Sequence, residues 1–324
     1  MSVSAYLSQL SDSRLGDLVD AETVRRTGIG GKKGELDIAG TRVFVKRVPI
    51  TDIELSNPHS TANLFDLPTF YQYGLGSTGF GAWRELATHL MTTKWVRSGE
   101  YRGFPVMYHW RVLPDTPPVG FADDFGGIDG TVAHWEGSPA VRRRLEAIGR
   151  STSSLVICLE YVPCTLGRWL RDHPNVGWVE QQLKQGTEFM SARGLVHFDT
   201  HFNNILTDGK QLFFADFGLA SSTAFDLSPA ESGFLADHRG YDQCHAMSNL
   251  LRHLQNRIGA EGKHEDFLRA WLTGQRPGDV PAEIAGIIDR NAEAASVLYE
   301  FHIQLMRESK QTPFPVSRLA GTMG

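Results

Sequence analysis

Residues 197–206 read HFDTHFNNIL, and at 216–218, one hairpin later, the chain continues DFG. Between them two short apolar runs, 204–206 (NIL) and 212–215 (LFFA), flank the turn Asp208-Gly209, so the spacing predicts a loop, a strand, a tight turn, a second strand and a second loop. Asp199 stands five residues before Asn204 in the first loop, and Asp216 opens the second loop twelve residues after Asn204. Singly, an Asp or Asn in a loop most often caps a turn with its own backbone. Three oxygen-bearing side chains in this order, delivered by one hairpin, form a more specific pattern than turn capping requires.

Working outward, residues 24–48 (VRRTGIGGKKGELDIAGTRVFVKRV) predict a glycine-rich turn, a short strand, the tight turn Ala39-Gly40 and an alternating strand. Strand side chains alternate, so Val43 and Val45 share one face while Phe44 and Lys46 share the other. Residues 49–81 are irregular and rich in Asn, Pro, Gly, Ser and Tyr. Trp83, Leu86, Leu90 and Met91 then recur at helical spacing and predict a helix over 82–97. A strand at 104–113, a Pro/Gly/Asp-rich stretch at 114–139, a charged helix at 139–149 and the apolar strand LVICLEYV at 155–162 complete the first lobe. Beyond it the pattern is helical. TLGRWLRD is one short helix, VEQQLKQGTEFMSARG a longer one closed by Gly194, and 241 to about 308 reads as helix throughout.

Composition sets the frame. With 324 residues, 41% of them hydrophobic, the chain can bury two moderate cores, and length favours two domains. The formal net charge of −5 is spread along the sequence with no basic stripe, which argues against nucleic acid as a partner. Cys158, Cys164 and Cys244 have neither a disulfide framework nor paired metal spacing, and point to a reducing cytoplasm. The start MSVSAYLSQLSDSRL lacks a basic segment followed by an apolar core, and no run approaches the roughly 20 apolar residues of a membrane span. The expectation is a cytoplasmic protein with no membrane partner.

The loop HFDTHFNNIL with the following DFG resembles the protein-kinase superfamily, whose catalytic loop places an Asp five residues before an Asn and whose metal-binding Asp begins a DFG triplet. The resemblance covers about 24–255. It implies an α+β, bilobal protein-kinase-like fold: a small β-rich N-lobe with one helix over 1–162 and a larger, mainly α C-lobe over 163–324. It implies an ATP- and Mg²⁺-dependent phosphotransferase in which Asp199 accepts the proton of an attacking hydroxyl, while Asn204 and Asp216 hold the metal against the triphosphate. By the same resemblance Lys46 contacts the α and β phosphates, and Glu85 orients it by an ion pair. Gly28, Gly30, Gly31 and Gly34 form the phosphate-covering loop, where missing Cβ atoms let backbone N–H groups approach; Lys32 and Lys33 either add charge there or stay solvated. In the hinge segment LEYV, Leu159 guards the adenine pocket while Glu160 and Val162 offer backbone groups. Asp242 resembles the helix aspartate that braces the catalytic loop.

Several positions depart from the family pattern. Phe198 replaces the Arg that pairs with a phosphorylated activation loop, which argues against that form of control. His201 matches aminoglycoside phosphotransferases and other small-molecule kinases, whereas DFGLA at 216–220 is closer to protein kinases. Only 26 residues separate Asp216 from Asp242, and SPAESGFL at 228–235 is at best a remnant of the element that ends a peptide platform. Phe44 replaces the small residue over the adenine, so the base must be stacked, tilted or displaced. The family does not explain 49–81 or 114–150, where acceptor choice is expected to lie, or else in the C-terminal helices. The acceptor is then a hydroxyl on a protein, with a small-molecule hydroxyl as the alternative and a silent nucleotide-binding scaffold as a third reading.

Overall fold

The computed structural model describes residues 2–22, 27–28 and 31–321. Gly30, one of the expected phosphate-loop glycines, lies outside them, and of Gly28 only its place in a short strand is described. The chain is α+β and divides into two compact units, one of Met1–Val162 with Ala215–Ala230, the other of Pro163–Phe214 with Glu231–Gly324. Ala215–Ala230, which contains DFG, therefore groups with the sheet, whereas the sequence reading has it in the helical lobe.

The first unit is built on an antiparallel sheet of β1 (Gly31–Ile38), β2 (Thr41–Ile50), β3 (Met107–Pro114) and β4 (Ser153–Glu160), with Thr27–Gly28 at one edge. The spatial order is Thr27–Gly28, β1, β2, β4, β3. Ala39 and Gly40, at φ 52 and 82, make the turn that brings Ile38 opposite Thr41. The alternation of β2 holds. Val43 and Val45 join Leu36, Val156 and Cys158 on one face, whereas Phe44, Val48 and Ile50 pack with Ile157 and Leu159 on the other. The second face is covered by α4 (Ala82–Arg97) through Ala82, Trp83 and Leu86.

The first face is covered by two helices that the sequence reading passed over, α1 (Val3–Gln9) and α2 (Asp12–Glu22), through Leu7, Leu15 and Val19. Ser2 accepts a hydrogen bond from the Ala5 N–H at 3.3 Å and so caps α1, while Leu15, Leu18 and Val19 carry the helical spacing of α2. The expectation of a small lobe with one helix is thus corrected. The sheet unit is the larger one, and it also holds α3 (Asp52–Ser56), α5 (Gly127–His134) and α6 (Pro139–Gly149). α5 lies inside the Pro/Gly/Asp-rich stretch at 114–139, for which the sequence reading names no helix, because Gly and Asp signal turns locally but do not forbid a helix whose Thr131 and Val132 are buried.

The second unit is mainly helical. It contains α7 (Leu166–Asp172), α8 (Val176–Ala192), α10 (Tyr241–Arg257), α11 (His264–Leu272), α12 (Ala282–Arg307) and α13 (Val316–Ala320); α9 (Pro229–Asp237) straddles the division. Thr165 caps α7, and Gly194, at φ 68, follows the end of α8 as expected. A small sheet of β5 (Cys164–Thr165), β6 (Ile205–Thr207) and β7 (Leu212–Phe214) carries the predicted hairpin, with Gly209 at φ 84 in its turn. No helix among the described residues is long and apolar enough to cross a membrane.

Candidate active site

In the sheet unit, β2, α4 and the start of the 215–230 segment bring Lys46, Glu85 and Asp216 together. Lys46 Nζ donates to Glu85 Oε1 at 2.6 Å and to Asp216 Oδ1 at 2.6 Å, with Lys46 and Glu85 each only 2% exposed. Glu85 sits on the turn of α4 that faces β2, so the 39-residue separation in sequence is bridged by the helix-on-sheet packing. Lys33 on β1 reaches the other oxygen, Asp216 Oδ2, at 2.9 Å from a side chain 41% exposed. Lys32 instead donates to Asp115 Oδ1 at 2.7 Å.

The charges divide unequally. Burial works to lower the pKa of Lys46, yet Asp216 and Glu85 outweigh it and hold the ammonium protonated more firmly than usual. Burial works to raise Asp216, but Lys46 and Lys33 override it and keep that carboxyl well below the ordinary carboxylate range. For Glu85 burial wins against Lys46, and its pKa is raised. Asp216 is therefore held ionised, and Glu85 is the partner that steadies the lysine. Asp216 occupies a left-handed backbone conformation, φ 66, the kind of outlier that neighbouring structure must impose. Phe217 behind it is fully buried, edge-on to His89 of α4 at 5.0 Å.

The second unit assembles the loop residues. Asn204 Nδ2 donates to Asp199 Oδ2 at 2.8 Å and to the Asp199 carbonyl at 3.1 Å, so the amide nitrogen of Asn204 is engaged and its carbonyl oxygen is the atom that remains for a cation. His201 Nε2 lies 3.5 Å from Asp199 Oδ2. Asp242, buried in the first turn of α10, accepts from the N–H groups of His197 at 2.6 Å and Phe198 at 2.9 Å. Burial pushes the Asp242 carboxyl up to about 7 against those donors. Phe198 has φ 62, and its ring is fully buried against Phe234, His238 and Tyr241. A residue without charge here serves to pack the loop.

Among the other expected residues, Gly31 has a reason of its own: at φ 91 a Cβ would overlap the Arg47 carbonyl oxygen, so glycine is what lets β1 start against β2. Gly28 pairs with Gly31 and Gly34 stands opposite Val45. Phe44 lies opposite Leu159 and is partly buried in the α4 cluster. Glu160 donates its N–H to the Val106 carbonyl at 2.8 Å and accepts from Val106 N at 3.1 Å, and Val162 is buried at the end of the unit. Sequence reasoning left Lys33 undecided between solvent and site. It missed Glu54 and Gln72, which reach the Ala82 N–H and the Leu219 carbonyl, 28 and 147 residues further along the chain. Among the described residues no group of three or more His, Cys, Asp or Glu is arranged to hold a metal.

No family model and no curated protein matches the chain. Among solved structures it is similar to WaaP in complex with acyl carrier protein, with 14% identity and a TM-score of 0.40 over 90% of this chain and 92% of that one.

Proposed function

We propose that the chain is an ATP- and Mg²⁺-dependent phosphotransferase that moves the γ-phosphoryl group to an acceptor hydroxyl. The observation that carries this reading is Lys46, a buried cation 2.6 Å from both a helix carboxylate and the DFG carboxylate. A pair of carboxylates around one lysine could be mere structure, but buried ion pairs are poor stabilisers compared with apolar packing, so such a cluster is better explained by a task. Each unit carries a donor suited to a hard cation: in the first Asp216 is held ionised, and in the second Asn204 presents a carbonyl oxygen. When bound, Mg²⁺ would neutralise triphosphate charge. Lys46 would bind phosphate oxygens, and Asp199, oriented by Asn204, would take the proton of the acceptor hydroxyl.

The favoured acceptor is a protein hydroxyl. His201, 3.5 Å from the Asp199 carboxylate, supports a small-molecule hydroxyl as the second reading. Incubation with labelled ATP and Mg²⁺, beside either a lysate or a metabolite extract, separates them by the size of the labelled product. Asp216→Ala should abolish transfer, and Asp199→Asn should lower the rate by about 10²-fold or more while nucleotide affinity survives. Transfer by Asp216→Ala within tenfold of wild type would sink the metal assignment.

A further inference from the structure

Residues 49–81 and 114–150 are the two stretches that the family resemblance leaves unexplained, and in the sheet unit they pack on each other. Glu54 of α3 and Arg144 of α6 form an ion pair at 2.8 Å, both side chains 2% exposed. Trp135, following α5, is fully buried with Tyr71 edge-on at 4.7 Å and Phe70 stacked at 6.3 Å. A segment rich in turn residues is thereby given a core of its own.

The same segment grips both carboxylates around Lys46. At α4, the helix start has no side-chain cap of its own, and Glu54 supplies one from outside: its Oε1 accepts the Ala82 N–H at 2.7 Å, while its Oε2 accepts from Thr51 and Arg144. The Trp83 indole N–H also donates to the Glu54 carbonyl at 2.7 Å. Glu85 lies one turn along that helix. At the DFG turn, buried Gln72 donates its amide N–H to the Leu219 carbonyl. Gly79, at φ 70, lies so close to the Gly218 carbonyl oxygen that a Cβ would overlap it. Further on, the Asp226 N–H donates to Thr61 Oγ1 at 2.9 Å, and the Thr61 carbonyl accepts from Arg84 of α4 at 2.7 Å.

We propose that residues 51–81, backed by α5 and α6, are a built-in clamp that fixes Glu85 and Asp216 about Lys46, with Glu54 the positioning residue for α4 and Gln72 the positioning residue for the DFG turn. The segment after Asp216 is thus held by the Gln72 amide, the Thr61 hydroxyl and the close approach of Gly79. The clamp belongs to the free chain; its effect on turnover rests on the phosphotransfer reading.

Gln72→Met keeps the side-chain length and removes the donor, and Gly79→Ala forces the two backbones apart. Amide hydrogen exchange of the nucleotide-free protein should quicken by about tenfold at residues 217–222 in Gln72→Met, the range of one net hydrogen bond, with the second unit unchanged. Gly79→Ala should show the same local change more strongly, and Gln72→Met decides alone if that variant does not fold. In turnover, kcat should fall in Gln72→Met while KM for ATP changes little, because a displaced Asp216 affects the transfer step more than the grip on nucleotide. Unchanged exchange at 217–222, or faster exchange throughout the chain, would overturn the clamp. Faster local exchange with unchanged kcat would overturn its positioning role. If the wild type neither binds nor turns over ATP, the phosphotransfer reading fails while the exchange result still decides the clamp.

Discussion

Lys46 differs from an ordinary strand lysine because two carboxylates and almost no water surround its ammonium group. From the sequence, Lys46→Met would be expected to spare the fold, since methionine matches the lysine in length. Burial of the ion pair changes that expectation. Removing one partner of a buried pair leaves an uncompensated charge, so Lys46→Met should lose phosphotransfer and also about 3–5 kcal/mol of stability at neutral pH. Glu85 already has a raised pKa, and without Lys46 it would rise further and take up a proton. A raised carboxyl contributes stability that is present below its unfolded value and lost as pH rises through its folded value. The deficit of the variant should therefore be smallest in acid and grow toward neutrality. Urea unfolding of both proteins across pH 4.5 to 8 measures it, and a deficit independent of pH would place the loss elsewhere than at Glu85.

Among the elements, the hairpin of β1 and β2 shows how a motif residue can have two masters. The glycines of 28–34 suggest close approach of backbone to phosphate, yet Gly31 at φ 91 is already required by the Arg47 carbonyl beside it. Gly31→Ala should then destabilise the sheet unit by about 1–3 kcal/mol, the cost of forcing a side chain into this backbone region, before any nucleotide is added. A melting temperature equal to wild type, with weakened ATP binding, would assign Gly31 to phosphate alone. The strand alternation itself was legible: a period of two needs only local sequence, and Phe44 and Val48 fall on the face away from Val43 and Val45. The helix over 82–97 was legible too, as α4. What anchors its first turn was not, because a cap supplied by Glu54 from 28 residues upstream has no local spacing to betray it.

On the scale of the whole molecule, the helical unit buries several histidines near the 197–206 loop and the C-terminal helices. Burial pulls His238, His264 and His302 down to about 4, and His245 well below its ordinary value. A depressed histidine binds fewer protons folded than unfolded, so its contribution is complete above about 6.5 and is lost as pH falls toward about 4. Asp242 acts in the opposite sense, since its raised carboxyl favours the folded state most at low pH. The histidines outnumber it. Melting temperature should thus fall steadily between pH 6.5 and 4, and a flat profile would show that these imidazoles titrate normally. Taken over the chain, the sequence alone determined the alternation of β2, the helix over 82–97, the hairpin after Asn204 and the Asp199, Asn204 and Asp216 pattern, because periodicity and motif spacing are local properties. It also foresaw the pairing of Lys46 with Glu85, through the family resemblance. Tertiary structure alone decided that α1 and α2 cover the sheet, that Lys33 reaches Asp216, and that 49–81 grips α4 and the DFG turn. Each depends on side chains far apart in the chain meeting in a dry interior, where a hydrogen bond or an ion pair left unmade is costly, and no pattern along the sequence records which of them meet.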